Sequence, residues 1–193
     1  KLELFKQNNI QLIWQTGKTF FETAQKACEK YKDNGINCHA FISKMDYAYA
    51  AADVIVSRAG AIAISEMCLV GKPAILVPSP NVTEDHQTKN ALALSENDAA
   101  ILVKDAEAAE KLAAEAIALV QVASLAGKVK IDAAQGAITV LVPLDKDETE
   151  KLKSCVKTPE AKARLAEIVE MVRAAEIAFG GTGETRTPTP YER

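Results

Sequence analysis

Aromatic side chains are scarce in this chain. Five Phe, four Tyr and one Trp make up 5% of it, and none falls between Tyr49 and Phe179. That gap coincides with an Ala-rich stretch from Ala99 to Ala137, so composition shifts after about Val120 and the second half reads as weakly packed. Histidine is limited to His39 and His86. With no acid cluster at ligand spacing nearby, these two give no metal site and no cofactor is expected. Long apolar runs are missing too. None approaches the ~20 residues that span a bilayer, and no signal-peptide pattern opens the chain. Basic residues do not cluster, and 23 Lys and Arg against 26 Asp and Glu give a net charge of −3. The electrostatic footprint of a nucleic-acid binder is therefore lacking, and no nucleic-acid partner is expected. Cys28, Cys38, Cys68 and Cys155 show no CxxC pairing and read as reduced, buried thiols of a cytosolic protein.

What remains is the composition of a soluble globular protein, 48% hydrophobic and 25% charged over 193 residues, enough for one domain or somewhat more. Lys1 is not a start methionine, so the chain is expected to begin mid-protein. Short apolar runs bounded by turn residues recur at Ile10–Trp14, Cys38–Ile42, Val54–Ser57, Ala74–Val77 and Ala100–Val103. Helical patterns lie between and after them, over about Thr19–Asn34, Asp46–Ala52, Ala61–Val70, Asp85–Ser95 and Ala106–Val122. Strands alternating with helices, each strand apolar on both faces, predict an α/β fold with a parallel sheet covered on two sides. Ligands of such sheets bind beyond the carboxyl ends of the strands. That singles out Gln15–Lys18, Ser43–Asp46, Arg58–Gly60 and Ser79–Gln87.

Further on, residues 123–144 predict one or two strands around Gly127 and Gly136, and Asp145–Val156 and Pro159–Phe179 predict two helices. Pro at the first turn and Thr158 as N-cap suit the start of the second helix, and Gly180 and Gly181 suit its end. The Thr/Pro-rich residues 180–193 read as a disordered tail. The domain reading is thus 1–121, then a divergent segment 122–179, then the tail.

Residues 57–92, SRAGAIAISEMCLVGKPAILVPSPNVTEDHQTKNAL, carry the densest chemistry. Arg58-Ala59-Gly60 stands between a strand and an almost wholly apolar helix. First-turn amides lack intrahelical partners and the helix dipole adds positive charge, which makes an anion site, naturally for phosphate. Gly60 lets a ligand approach the backbone, although many α/β proteins carry Gly here for packing. Glu66 sits among apolar neighbours in a helix expected to be buried. Two readings stand: a carboxylate satisfied by backbone amides, or one that serves a ligand such as ribose hydroxyls. Asp85 through Asn90 is a second polar knot. Glu84 and Asp85 favour a helix start, while His86, Gln87 and Asn90 suit sugar hydroxyls or simply a capped surface helix. Gln15–Lys18 ends the first strand and either touches phosphate or sugar or turns the chain. Phe41 and Ile42, read as the end of the second strand, offer an edge to a planar base or plain core packing.

IWQTGK, HAFISKMDYAYAAADVIVSRAGAIAISE and GKPAILVPSPNVTEDHQTKNAL, in this order and spacing, resemble the carboxy-terminal domain of the MurG family over about residues 2–110. That family is the N-acetylglucosaminyltransferase converting lipid I to lipid II in peptidoglycan synthesis. The resemblance implies a Rossmann-like parallel sheet with helices on both faces, the carboxy-terminal half of a GT-B fold, plus a divergent α/β or helical carboxy-terminal segment. It implies UDP-N-acetylglucosamine as donor, with lipid I reached only through an amino-terminal domain that is missing. It also implies a place at the cytoplasmic face of the bacterial membrane, with peripheral membrane association in the intact protein.

By the same resemblance Glu66 would bind ribose, and the main chain of Ala61, Ile62 and Ala63 would meet the diphosphate. Ile42 would read uracil through its backbone, with Phe41 and Met45 around it. His86 and Gln87 would contact the sugar, and Arg58 would shape the nucleotide pocket beside Gly60. No catalytic residue is expected in this chain, which alone would be inactive. Departures are the absence of the first strand with its Gly-rich turn before Lys1, the lack of a hydroxyl at Ile62 and Ala63, and the fading of the resemblance beyond residue 110. The competing readings are a non-catalytic nucleotide-sugar-binding or protein-interaction module using helix faces around Leu165 and Val169, and a relative of UDP-N-acetylglucosamine 2-epimerase, against which the DHQTKNA loop argues.

Overall fold

The computed structural model describes residues 1–82, 85–126, 129–131, 138–140, 144, 146–156, 159, 162–163, 165–167 and 169. Helix α1 (Leu2–Gln7) leads into β1 (Leu12–Gln15), α2 (Phe21–Cys28) and a 3₁₀ stretch (Glu29–Asn34). Then follow β2 (Ile36–His39), α3 (Met45–Ala51), β3 (Ile55–Ser57), α4 (Ala61–Val70), β4 (Ala74–Leu76), α5 (His86–Ser95), β5 (Ile101–Leu102) and α6 (Asp105–Ala126). An antiparallel pair, β6 (Val129–Ile131) and β7 (Ile138–Val140), precedes α7 (Lys146–Cys155).

The strands are parallel, as alternation with helices predicts, but they form two sheets. β1 pairs with β2, and β3, β4 and β5 pair in that order. A doubly wound sheet of order 3-2-1-4-5-6 has one more strand between the positions that β1 and β3 hold here. Among the described residues no strand pairs with the outer edge of either. Phe5 of α1 reaches the cores on both sides, packing against Ile36 and its neighbours and against the cluster around Ile75 and Leu119.

β4 is buried throughout, and its alternation divides two cores. Ile75 packs with Val77, Val103, Ala116 and Leu119 beneath α6. Ala74 and Leu76 pack with Ile55, Ala59, Met67 and Ala91 beneath α4 and α5. Helices therefore cover both faces of this sheet. The β1–β2 pair departs from that expectation. Leu12, Trp14, Ile36 and Cys38 face a core with Cys28 and Tyr31, while Ile13 on the other face is 48% exposed. Polar Gln15, Asn37 and His39 alternate with the apolar residues, so these strands are half-polar rather than apolar on both faces.

Three further expectations are corrected. The second strand ends at His39, not Ile42. Gly35 in the left-handed region closes the preceding turn, and the four-residue register Leu12↔Ile36 to Gln15↔His39 uses up β1. Helix α4 is not buried: only Met67 is, and Ile62 and Leu69 are 78% and 89% exposed. One side packs on the sheet, and the other, equally apolar, is uncovered among the described residues. Leu165 and Val169 are no partner surface, for both are buried at 1% in the Ile75 core.

α6 runs unbroken through residue 121. The strand pair near Gly127 and Gly136 forms, although those two glycines lie outside the described residues, as do most of 159–179 and all of the tail. Among the described residues no helix is long and apolar enough to cross a membrane.

Candidate functional site

Parallel pairing brings the post-strand loops to common edges. Gln15 lies beside His39 at the end of one sheet, and Ser57 beside Leu76 at the end of the other. Helices α4, α5 and α6 follow β3, β4 and β5, so their amino-terminal ends open on the carboxyl edge of the larger sheet.

Gly60 is the N-cap of α4, with φ −68° and ψ 148°, and no side chain caps the helix. The Ile64 amide is the first to bond back, donating to the Gly60 carbonyl at 2.9 Å. The amides of Ala61, Ile62 and Ala63 thus form the open first turn. A Cβ built on Gly60 meets no described atom within 4 Å. Neither backbone angle nor internal packing therefore requires glycine there. Departure from φ > 0 separates Gly60 from Gly17, Gly35 and Gly71, which do sit at φ +74°, +72° and +63°.

Glu66 lies one turn deeper on α4, and its carboxylate is exposed rather than buried. The burial that both readings of this acid started from is absent. The Tyr49 hydroxyl donates to Glu66 Oε2 at 2.8 Å. Burial, then the Glu66 hydrogen bond and charge, push the Tyr49 phenol up to about 12. Tyr49 is in turn fixed through its backbone. Lys72 Nζ donates to the carbonyls of Tyr49, Ala50 and Ala52 at 2.9, 2.7 and 2.5 Å, capping the end of α3 with a cation.

Arg58 turns inward along the sheet edge. Its Nη1 donates to the carbonyls of Val77 and Pro78 at 3.2 and 3.3 Å and pairs with Asp105 at the start of α6. The guanidinium thereby ties the loop after β3 to the ends of β4 and β5. Asn90 Nδ2 donates to the Ala59 carbonyl at 3.0 Å, and the Ser79 amide donates to Gln87 Oε1 at 2.9 Å. The first bond holds α5 to the Arg58–Gly60 turn, and the second holds it to the loop after β4. His86 opens α5 after Asp85, which holds φ +55°; Glu84 lies outside the described residues.

On the smaller sheet the Ile42 amide donates to Gln15 Oε1 at 2.8 Å. The backbone group expected to read a base is thus held by a side chain of the Gln15–Lys18 loop. Phe41 is 71% exposed beside it, and Met45 begins α3 half-buried.

The structure therefore gathers Arg58, Gly60, the first turn of α4, Gln87 and Asn90 into one bonded edge, and links Glu66 to α3. No bond joins Ile42 to that edge among the described contacts. Sequence reasoning missed Tyr49, Lys72 and Asp105. A shallow open depression on α4, lined by Ile64, Ser65, Cys68 and Leu69, includes none of the candidate residues. No group of three or more His, Cys, Asp or Glu is placed to hold a metal ion among the described residues.

Residues 1–139 match the family model described as the glycosyltransferase family 28 C-terminal domain. The chain is 58% identical over 123 residues to a UDP-N-acetylglucosamine--N-acetylmuramyl-(pentapeptide) pyrophosphoryl-undecaprenol N-acetylglucosamine transferase of Porphyromonas gingivalis, covering 63% of this chain and 32% of that one. It is 51% identical over 119 residues to the protein of the same name from Parabacteroides distasonis, covering 62% and 32%. The chain thus spans about a third of the length of these curated relatives. A crystal structure of Acinetobacter baumannii MurG aligns with a TM-score of 0.47 at 21% identity, over 92% of this chain and 42% of that one.

Proposed function

Because the chain belongs to the glycosyltransferase family 28 C-terminal domain family, we propose that it is the donor-binding part of an N-acetylglucosaminyltransferase that uses UDP-N-acetylglucosamine and glycosylates lipid I to form lipid II. The open, uncapped first turn of α4 in front of Gly60 carries this reading. In it, the amides of Ala61, Ile62 and Ala63 receive the diphosphate, and the helix dipole favours its charge. The Glu66 carboxylate accepts from the ribose hydroxyls. Arg58 holds the pocket wall through Val77, Pro78 and Asp105 and leaves phosphate to the amides. Gln87 and His86 lie at the amino-terminal end of α5, on the side of the sugar. Uracil falls to the Ile42 backbone, where the Gln15 carboxamide gives way to the base.

In the transfer itself the acceptor's hydroxyl attacks the anomeric carbon and UDP leaves. The role of α4 is to stabilise the negative charge that grows on the departing diphosphate. The acceptor and the groups that act on it belong to the remaining two thirds of the relatives' length. Within this proposal, donor binding is the part of the reaction that the residues of this chain carry. Among the described residues β1 and β3 each keep one edge that pairs with no strand, and those edges have room for a further strand. Peripheral association with the cytoplasmic face of the membrane belongs to the same proposal.

The uncovered α4 face at Ile62 and Leu69 favours an additional role as a packing surface for more protein. Isothermal titration of the full chain with UDP-N-acetylglucosamine tests the main reading. Saturable binding that weakens on Glu66→Ala supports it; no saturation at millimolar donor, with the chain folded, refutes it.

A further inference from the structure

We propose that Tyr49 is a positioning residue for the nucleotide site, acting through Glu66 to aim its carboxylate at the ribose; this rests on the donor-binding reading above. Glu66 lies four residues after Ile62, about 6 Å further along the axis of α4. Helical side chains lean toward the amino terminus, so the carboxylate of Glu66 inclines toward the helix mouth. An exposed Glu on its own samples several rotamers, and fixing one of them costs conformational entropy whenever a ligand binds. The Tyr49 hydroxyl removes part of that cost beforehand. It donates to Oε2 at 2.8 Å and leaves Oε1 to accept from a sugar hydroxyl.

The donor is itself held in place. The Tyr49 ring packs against the Ile55, Ala59 and Met67 core. Its carbonyl is one of three at the end of α3 gripped by Lys72. Lys72 follows Gly71, which ends α4 in the left-handed region, so the helix bearing Glu66 also delivers the cation that anchors Tyr49. Burial and Glu66 keep the phenol protonated throughout the physiological range, so it serves as a donor at every working pH.

Titration calorimetry of the full chain with UDP and with 2′,3′-dideoxy-UDP tests the assignment. Tyr49→Phe keeps the ring and removes only the hydroxyl. Its UDP affinity is expected to fall about three- to tenfold, the range for loss of one hydrogen bond. Its affinity for the dideoxy nucleotide is expected to stay within about twofold of the parent, because that ligand has no hydroxyl for Glu66 to meet. In a Glu66→Ala background, Tyr49→Phe should change UDP affinity by less than about twofold, since residues acting as a unit are non-additive. Equal losses for both nucleotides, or full additivity with Glu66→Ala, would show a merely structural role and overturn the proposal, as would an unchanged UDP affinity. If the parent chain binds neither nucleotide, the donor-binding reading fails first, and that result needs no variant to be seen.

Discussion

Gly60→Ala separates what the fold needs from what a ligand needs. Gly60 has φ −68°, which alanine adopts without strain, and a Cβ there touches no described atom within 4 Å. Alanine is a poorer N-cap than glycine, at a cost of roughly 0.5–1 kcal/mol. Restricting the unfolded chain returns about 0.4–1 kcal/mol. The two effects nearly cancel, so stability should change by less than about 0.5 kcal/mol. For a chain of this size that is a melting-temperature shift of no more than about 2 °C. On the donor-binding reading, however, the added methyl sits one residue before the first-turn amides and crowds a diphosphate that approaches them. Displacing a diphosphate from even one of them loses a charge-assisted hydrogen bond of about 1.5–3 kcal/mol. Thermal unfolding by circular dichroism and UDP titration calorimetry on the same sample read the two effects. A near-constant Tm with at least a tenfold loss of UDP affinity is expected. Gly71→Ala at φ +63° is the control: it should lower Tm and leave UDP affinity alone. Undiminished UDP binding by Gly60→Ala would refute the reasoning.

Further outcomes follow from the same contacts. Ile75→Ala, fully buried in β4, should cost about 2–5 kcal/mol in denaturant unfolding, whereas Ile13→Lys on the open face of β1 should stay within about 0.5 kcal/mol. Lys72→Met should destabilise the chain by about 1–2 kcal/mol through the three α3 carbonyls it leaves uncapped. Burial, then the charge and hydrogen bond of Cys38, push the Cys28 thiol from 9.0 up to about 11. The unfolded thiol ionises first, so the stability Cys28 contributes is intact below pH 9 and is lost as pH rises toward 11. Melting temperatures from pH 8 to 11 should fall less steeply in Cys28→Ala than in the parent.

From β1 onward the order of strands and helices was legible because each strand run is short, apolar and bounded by turn residues, whereas α1 had no counterpart in that reading. Helix α4 was placed residue for residue, since Gly60 and Gly71 punctuate both ends. Its burial was misjudged for a physical reason. Apolar composition records what a surface can pack against, and the outer side of α4, with Ile62 and Leu69, has no cover within the described chain. The extra residues given to the second strand came from counting Phe41 and Ile42 in its apolar run, when register with the four residues of β1 had already ended the ladder. The start of α4 was readable from the strand–Arg58-Ala59-Gly60–helix step, but Gly60 alone does not tell an open mouth from a packing glycine. Tyr49 was not readable, because a Tyr in an Ala-rich helix carries no sign of a partner 17 residues away. The Gly71-Lys72-Pro73 step was the available signal for Lys72: a cation just past one helix end, at a sharp turn, is placed to cap another. Arg58 and Asp105 lie 47 residues apart and meet only because β3, β4 and β5 are parallel neighbours.

The central claim is that the first turn of α4 grips a nucleoside diphosphate, and amide chemical shifts report it residue by residue. Titrating the isotopically labelled chain with UDP should move the amides of Gly60, Ala61, Ile62 and Ala63 together and saturably, with Glu66 following and the core of β4 unmoved. A well-dispersed spectrum in which those four signals stay in place, or move no more than the rest, would contradict the account.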